Sequence, residues 1–292
     1  MKKICILCKN PKTELISNRV RDSKKFKVIK CMKCHHVQLF PIPSKIDEKK
    51  FYDEELQNLV IKKDFKISEL RKNSSSDIER RINFIRKLIP KECKILEIGS
   101  GDGFFLEKMY DYGYNITGIE ISKQRRERSK KITKARIFDK DVSEIKNLGK
   151  FDLVVLFHVL EHIHEPKIFL KNISKLLNSK GKIIVEVPNY NDFQIRTNNS
   201  YKNWQFQRAH IHYFTPKILK RIFRESGLKA KLIGVQRYSI ENMFSWKITN
   251  KPQIDSPKFN LQNEFQWIES SYKKYLEKKS LSDTIIAVGS LN

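Results

Sequence analysis

Lys94-Ile-Leu-Glu-Ile-Gly-Ser-Gly-Asp-Gly-Phe-Phe-Leu106 is the stretch whose reading decides the fold. Ile95, Leu96 and Ile98, interrupted only by Glu97, read as a buried parallel strand. The run breaks at Gly99, Gly101 and Gly103, and a helical pattern starts at Phe104. A strand that turns through glycines into a helix opens a nucleotide pocket at the carboxyl edge of an α/β sheet. Glycine lets backbone approach a ligand that any Cβ would hinder. The spacing is G-x-G-x-G, with Glu97 two residues before the first glycine. Position 104 is Phe, so the dinucleotide fingerprint G-x-G-x-x-G fails, and no G-x-x-x-x-G-K-[ST] phosphate loop is present.

Further strands follow at intervals that leave room for helices. Residues 115–120 end in Glu120, where Rossmann-type sheets place a carboxylate for the ribose hydroxyls. Residues 135–138 lead to Asp139-Lys-Asp141. Residues 151–157 run into His158-Val-Leu-Glu-His162, and 182–187 end at Pro188-Asn189. Residues 228–235 and 283–289 read as a final pair. Strands alternating with helix-length segments predict a doubly wound sheet.

Glu97-Ile-Gly-Ser-Gly-Asp-Gly103 resembles motif I of the Rossmann-like S-adenosylmethionine (SAM) methyltransferases. The resemblance implies an α/β fold with a seven-stranded sheet, six strands parallel and one antiparallel. It implies that Glu97, Gly99, Ser100, Gly101 and Gly103 cradle SAM. It also implies that Glu120 holds the ribose and Asp141 the adenine amino group.

Four of the five cysteines fall as Cys5-Ile-Leu-Cys8 and Cys31-Met-Lys-Cys34, twenty-two residues apart. Paired C-x-x-C knuckles supply four thiolates in the tetrahedral set that suits Zn²⁺. A segment this short needs such a staple to fold, so a structural zinc ribbon is expected. His35 and His36 are read as surface residues or a substrate-facing edge, and Cys93 as a small buried hydrophobe. The expected division is a ribbon at 1–43, a connecting helix and linker at 44–78, and the methyltransferase domain at 79–292 with an insertion at about 240–281. Asp77 or Ser76 is expected to cap a helix carrying Ile78, Ile82, Ile85 and Ile89.

Four landmarks occur in order: the four-Cys ribbon, Val37-Gln-Leu-Phe40-Pro-Ile-Pro43, Phe51-Tyr-Asp-Glu54 and motif I. This order resembles zinc-ribbon methyltransferases of sugar and surface-polysaccharide pathways, including the sugar C-methyltransferases. It implies a small-molecule acceptor, a (nucleotide-)sugar or a glycan precursor.

Two clusters are candidates for the chemistry. His158, Glu161 and His162 follow the fourth strand. Their His-x-x-Glu-His order matches a zinc-protease pattern, but that site needs a long helix, and this segment leaves a strand and meets Pro166. In related ubiquinone-pathway O-methyltransferases Glu-x-x-Glu-His stands here and is linked to Mg²⁺. His158 replaces the first acid, which argues against magnesium. In the sugar C-methyltransferases a histidine at the place of His162 faces the substrate. The second cluster contains Trp204, Gln207, Arg208, Ala209 and His210, ahead of a helix capped by Thr215-Pro216. The family has Tyr-x-Glu-His there. Gln207 and Ala209 replace the Tyr and Glu, and proton abstraction from carbon needs a strong, well-placed base. Oxygen or nitrogen methylation is therefore favoured, with His210 the first choice as base. Asn189, Tyr190 and Trp204 are candidates for the acceptor pocket, and Trp246, Phe259 and Trp267 for its roof or for an oligomer contact.

The formal charge of +26, from 59 basic and 33 acidic residues, raises an RNA methyltransferase as the alternative. The lysines are spread along the chain, however. The densest run, residues 123–136, reads as a solvated helix face. A non-catalytic SAM-binding protein is a third possibility, against which the intact Glu97, Gly99, Gly101 and Glu120 argue. No apolar run approaches the ~20 residues of a membrane span, and Met-Lys-Lys lacks a following apolar segment, so a cytoplasmic location is expected.

Overall fold

The computed structural model describes residues 3–44, 47, 66–142, 144, 145, 148–252 and 265–292. The first strands are β1 (Thr13–Ser17), β2 (Lys27–Cys31) and β3 (Val37–Phe40). Helix α1 (Ile67–Arg86) leads into β4 (Lys94–Ile98), α2 (Phe104–Asp111), β5 (Asn115–Ile119), α3 (Lys123–Ile132) and β6 (Arg136–Phe138). Next come β7 (Phe151–Phe157), a 3₁₀ turn (Leu160–His162), α4 (Pro166–Ser174) and β8 (Leu177–Pro188). After β8 lie α5 (Phe193–Thr197), α6 (Asn199–Gln205), β9 (His212–Tyr213) and α7 (Pro216–Glu225). The chain closes with β10 (Leu228–Val235), α8 (Ile240–Thr249), α9 (Gln266–Lys278) and β11 (Thr284–Leu291).

Seven strands form one sheet in the order β10-β11-β8-β7-β4-β5-β6. β4 pairs parallel with β5 and β7, while β11 is antiparallel to both of its neighbours. The expected sheet of six strands one way and one against is therefore present. The chain leaves β4 toward β5 and β6, then returns to β7 on the other side. That reversal opens a crevice at the carboxyl ends of β4 and β7, where such sheets bind ligands.

Both faces of the sheet are covered, so its inner strands are apolar throughout. Leu96, Val154, Leu156, Ile183 and Val185 pack on one face with Leu170 of α4 and Phe223 of α7. Ile95, Leu153, Val155 and Ile184 pack on the other with Ile82 and Ile85 of α1 and Met109 of α2.

Two expectations are corrected. Neither Ser76 nor Asp77 caps a helix, because α1 starts ten residues earlier and runs through residue 78. Its serines sit mid-helix, where Ser74 donates to the Leu70 and Arg71 carbonyls and Ser75 to that of Lys72. His36 is not at the surface: it is fully buried, its Nε2 2.9 Å from His212 Nδ1. The cover comes from β9, which adds to the ribbon as a fourth strand, Val37 opposite Tyr213 and Gln38 opposite His212. The Ile211 carbonyl also accepts from the Leu39 N–H at 3.0 Å. The Phe51-Tyr-Asp-Glu54 segment, most of the expected linker, and Phe259 lie outside the described residues. Among the described residues no helix is long and apolar enough to cross a membrane.

Leu96→Ala, at a fully buried position of β4, should cost about 2–5 kcal/mol, read as a lower midpoint in urea unfolding followed by circular dichroism.

Candidate active site

The glycine turn after β4 is built for close approach. Gly99 and Gly103 have φ of +75° and +83°. A Cβ at Gly99 would lie 2.5 Å from Val159 Cγ2, and one at Gly103 2.0 Å from Ser129 Oγ. The Gly101 N–H donates to Glu120 Oε2 at 2.7 Å, and the Ser122 N–H to Glu120 Oε1 at 2.8 Å. One carboxylate thus fixes both loops, and each oxygen keeps a lone pair for a ligand hydroxyl. Burial pushes the Glu97 carboxyl well above its ordinary range, against the pull of nearby Arg81. Glu97 Oε2 and Ser100 Oγ are buried without a hydrogen-bond partner, as expected of atoms that await a ligand. The cleft above them has a volume of about 1140 Å³. Its walls include every residue the sequence assigned to SAM: Glu97, Gly99, Ser100, Gly101, Gly103, Glu120 and Asp141. The donor set and the space fit that cofactor.

His158, His162 and His210 lie at one end of the same cleft. His158 takes φ +55° directly after β7, and its N–H donates to the Glu186 carbonyl at 2.8 Å. Its Nδ1 is 3.3 Å from Glu161 Oε1 and its Nε2 3.3 Å from Glu186 Oε1. Burial alone would lower its pKa, yet the hydrogen bonds to Glu161 and Glu186 prevail and raise it. Glu186 is fully buried and is also held by Arg80 Nη2 at 3.0 Å and Arg81 Nε at 3.1 Å. Helix α1 thereby clamps the end of β8. Arg237 pairs through two nitrogens with Asp77 of the same helix and reaches His158 Nε2 at 3.1 Å.

His162 and His210 meet edge to face, with ring centroids 5.1 Å apart. His162 Nδ1 lies 2.7 Å from the Ala209 carbonyl. A carbonyl only accepts, so Nδ1 carries the proton and Nε2 the lone pair. His210 is set differently. Arg21 Nη2 donates to Gln207 Oε1 at 2.6 Å, which turns the Gln207 amide nitrogen toward His210 Nε2, 2.7 Å away. Burial, helped by His162, draws the His210 pKa down to about 3. Glu161 is fully buried, yet the His158 hydrogen bond and the charges of His162 and His158 hold it down to about 2. The ligand atoms of Glu161, His162 and His210 all lie within 4.8 Å of one another.

A second pocket, about 290 Å³, adjoins this end and shares His158, His210, Gln207 and Arg237 with the cleft. Tyr190 and Trp204 line it, as does Asn189. The Asn189 amide is itself occupied, donating to the Ser282 carbonyl at 2.7 Å. Trp246 is buried against Tyr201 and Trp204, while Trp267 is 67% exposed on α9. Neither is a wall of the pocket. Sequence reading missed Arg21, Glu186 and Arg237, because each acts across a long chain separation, and it gave Gln207 no role of its own in holding His210. The buried acid at the end of β8 was the one visible hint.

The four ribbon thiols gather within 4.8 Å of one another, with Sγ···Sγ of 3.6 Å for Cys5–Cys34 and 3.5 Å for Cys8–Cys31. Four sulfurs about 2.3 Å from a tetrahedral Zn²⁺ stand roughly 3.8 Å apart, so the cluster fits zinc. Against its own burial, Cys31 is drawn down to about 7 by the N–H groups of Cys34 and Lys33. The left-handed residues Lys9 and His35 follow the two knuckles.

Fold and site together define a SAM-dependent methyltransferase of the Rossmann-like class. Residues 70–231, more than half of the chain, match the family described as a methyltransferase domain, and the protein belongs to that family. A ubiquinone biosynthesis O-methyltransferase of Pelagibacter ubique is 28% identical over 56% of this chain and 73% of its own length. That of Rickettsia typhi is 23% identical over 74% of this chain and 91% of its own. Among solved structures, a SAM-dependent methyltransferase from Archaeoglobus fulgidus is 20% identical with a TM-score of 0.52, covering 75% of this chain and 93% of that one. Magnesium protoporphyrin IX methyltransferase from Synechocystis PCC 6803, with SAH bound, gives 10% and 0.56 over 85% and 100%.

Glu120→Ala, which removes the carboxylate joining Gly101 to Ser122, should weaken SAM binding by about tenfold to a hundredfold, as measured by calorimetric titration. Cys8→Ser should take bound zinc below one equivalent in elemental analysis and lower the melting temperature. Unchanged metal content would remove zinc from the ribbon.

Proposed function

We propose that this enzyme methylates a hydroxyl of a small-molecule acceptor, with His162 as the general base. The relatives named above are O-methyltransferases. The sugar and glycan reading rests on the ribbon resemblance alone, so the acceptor is placed only as a hydroxyl-bearing small molecule. SAM supplies an electrophilic methyl group, and the O–C bond forms as the S–C bond breaks. The acceptor proton must then leave.

The tautomers of the two histidines carry the assignment. His162 presents Nε2 as an acceptor nitrogen, because its Nδ1–H is held by the Ala209 carbonyl. His210, the first choice from sequence, has its Nε2 engaged by Gln207, and burial opposes any charge on it. It serves better to orient the acceptor. Glu161, a carboxylate throughout the working pH range, stabilises the imidazolium formed on His162. His158, held between Glu161 and Glu186, keeps that carboxylate in place. The zinc ribbon is structural.

The test incubates methyl-labelled SAM and the protein with host extract, then separates small molecules from RNA. Label in the small-molecule fraction, as an alkali-stable methyl ether, supports the reading. Label in RNA overturns it. His162→Ala should keep SAM binding and lower kcat by about 10²–10⁴-fold. His210→Asn should act mainly on the KM for the acceptor.

A further inference from the structure

The pocket beside the histidines has one wall that does not come from the methyltransferase domain. Arg21 belongs to the loop between β1 and β2 of the ribbon, yet it lines this pocket together with His210, Tyr190, Trp204 and Tyr213. It is anchored rather than loose. Its N–H donates to the Phe206 carbonyl at 2.9 Å. Its Nη1 donates to the Trp204 carbonyl at 3.2 Å, and its guanidinium lies 4.9 Å from the centre of the Trp204 ring. Nη2 donates to Gln207 Oε1.

Every side-chain acceptor in that set is neutral. Among the described residues no carboxylate comes within ion-pair distance of Arg21, whereas Arg237 across the pocket is paired with Asp77. The two acids in the pocket wall, Asp192 and Asp283, already accept hydrogen bonds from the protein. Asp192 accepts from the Gln194 N–H at 2.8 Å. Asp283 accepts from the N–H groups of Arg237 and Tyr238 and from the Thr284 hydroxyl. A guanidinium has five N–H donors in a planar fork that matches carboxylate and phosphate oxygens. Held against an aromatic wall, with the Asp22 charge nearby but no carboxylate within ion-pair distance, it lines a pocket of about 290 Å³, the size of one ring.

We propose that the acceptor is an anion, a hydroxylated ring bearing a carboxylate or a phosphate, and that Arg21 of the ribbon binds the charged group. This deepens the reading of the pocket as the acceptor site and rests on it. Gln207, bonded to both Arg21 and His210, places the anion subsite one residue away from the histidine pair. A hydroxyl on the same small ring would then reach them. The ribbon thus contributes to substrate choice as well as to stability.

The experiment is calorimetric titration of the full-length, SAH-saturated protein. The probes are phenyl phosphate, glucose 1-phosphate, benzoate and glucuronate, with phenol and glucose as neutral controls. At least one anion should bind about tenfold or more tightly than its neutral counterpart. The phosphate and carboxylate arms identify the charged group, and the aryl and sugar arms the ring. Arg21→Gln should lose about tenfold of that affinity, Arg21→Lys should recover part of it, and both should keep SAH affinity, which certifies the fold. Equal binding of charged and neutral rings, no anion binding at ~10 mM, or full anion affinity in Arg21→Gln would each overturn the proposal. No turnover is read, so a failure of the O-methylation reading would appear separately, in the labelling experiment.

Discussion

The pairing of β3 with β9 is the constraint on which the acceptor half depends. Two residues of backbone ladder, Val37 with Tyr213 and Gln38 with His212, extend the ribbon sheet into the second domain. Among the described residues the short segment between α6 and α7 pairs with no other strand and would otherwise be a loop. Held as a ribbon strand, it fixes Ala209, whose carbonyl sets the His162 tautomer, and His210, which lines both cavities. The buried His36–His212 contact continues the same link: His212 Nε2 reaches the Ile163 carbonyl at 2.9 Å, one residue beyond His162. The four-cysteine module and the loop that carries Ala209 and His210 thus share one hydrogen-bonded path.

The cofactor half depends on charge placed in a dry interior. Glu97, Glu120, Glu161 and Glu186 are all buried at the carboxyl end of the sheet, where an unpaired carboxylate would be costly. Each has a different resolution. Glu120 takes backbone N–H groups, Glu186 takes two arginines of α1, and Glu161 takes His158. Glu97 keeps one oxygen without a partner. Glu161 also keeps one, Oε2; the open oxygen of Glu97 stands in the wall of the cleft, where a ligand completes the network.

Much of the cofactor half was legible in the sequence because its determinants are local. Three glycines with positive φ, a strand before them and a helix after them lie within a dozen residues, and Glu120 ends the next strand. The sheet strands read correctly for the same reason: burial on both faces makes them continuous apolar runs. The acceptor half was legible only as a list of histidines. Their roles follow from partners far along the chain, such as Ala209 for His162 and Arg21, through Gln207, for His210. The serines within α1 misled because their hydroxyls satisfy a helix from inside as readily as they cap one.

Hydrogen exchange at the amides of residues 211–214, followed with and without removal of the ribbon metal by a chelator, tests the shared site most directly. Loss of metal should raise exchange there by an order of magnitude or more as the β3–β9 ladder opens, while residues 95–98 of β4 stay protected. Protection of residues 211–214 that does not change on metal removal would contradict the account, because the loop that carries His210 would then be built without the ribbon.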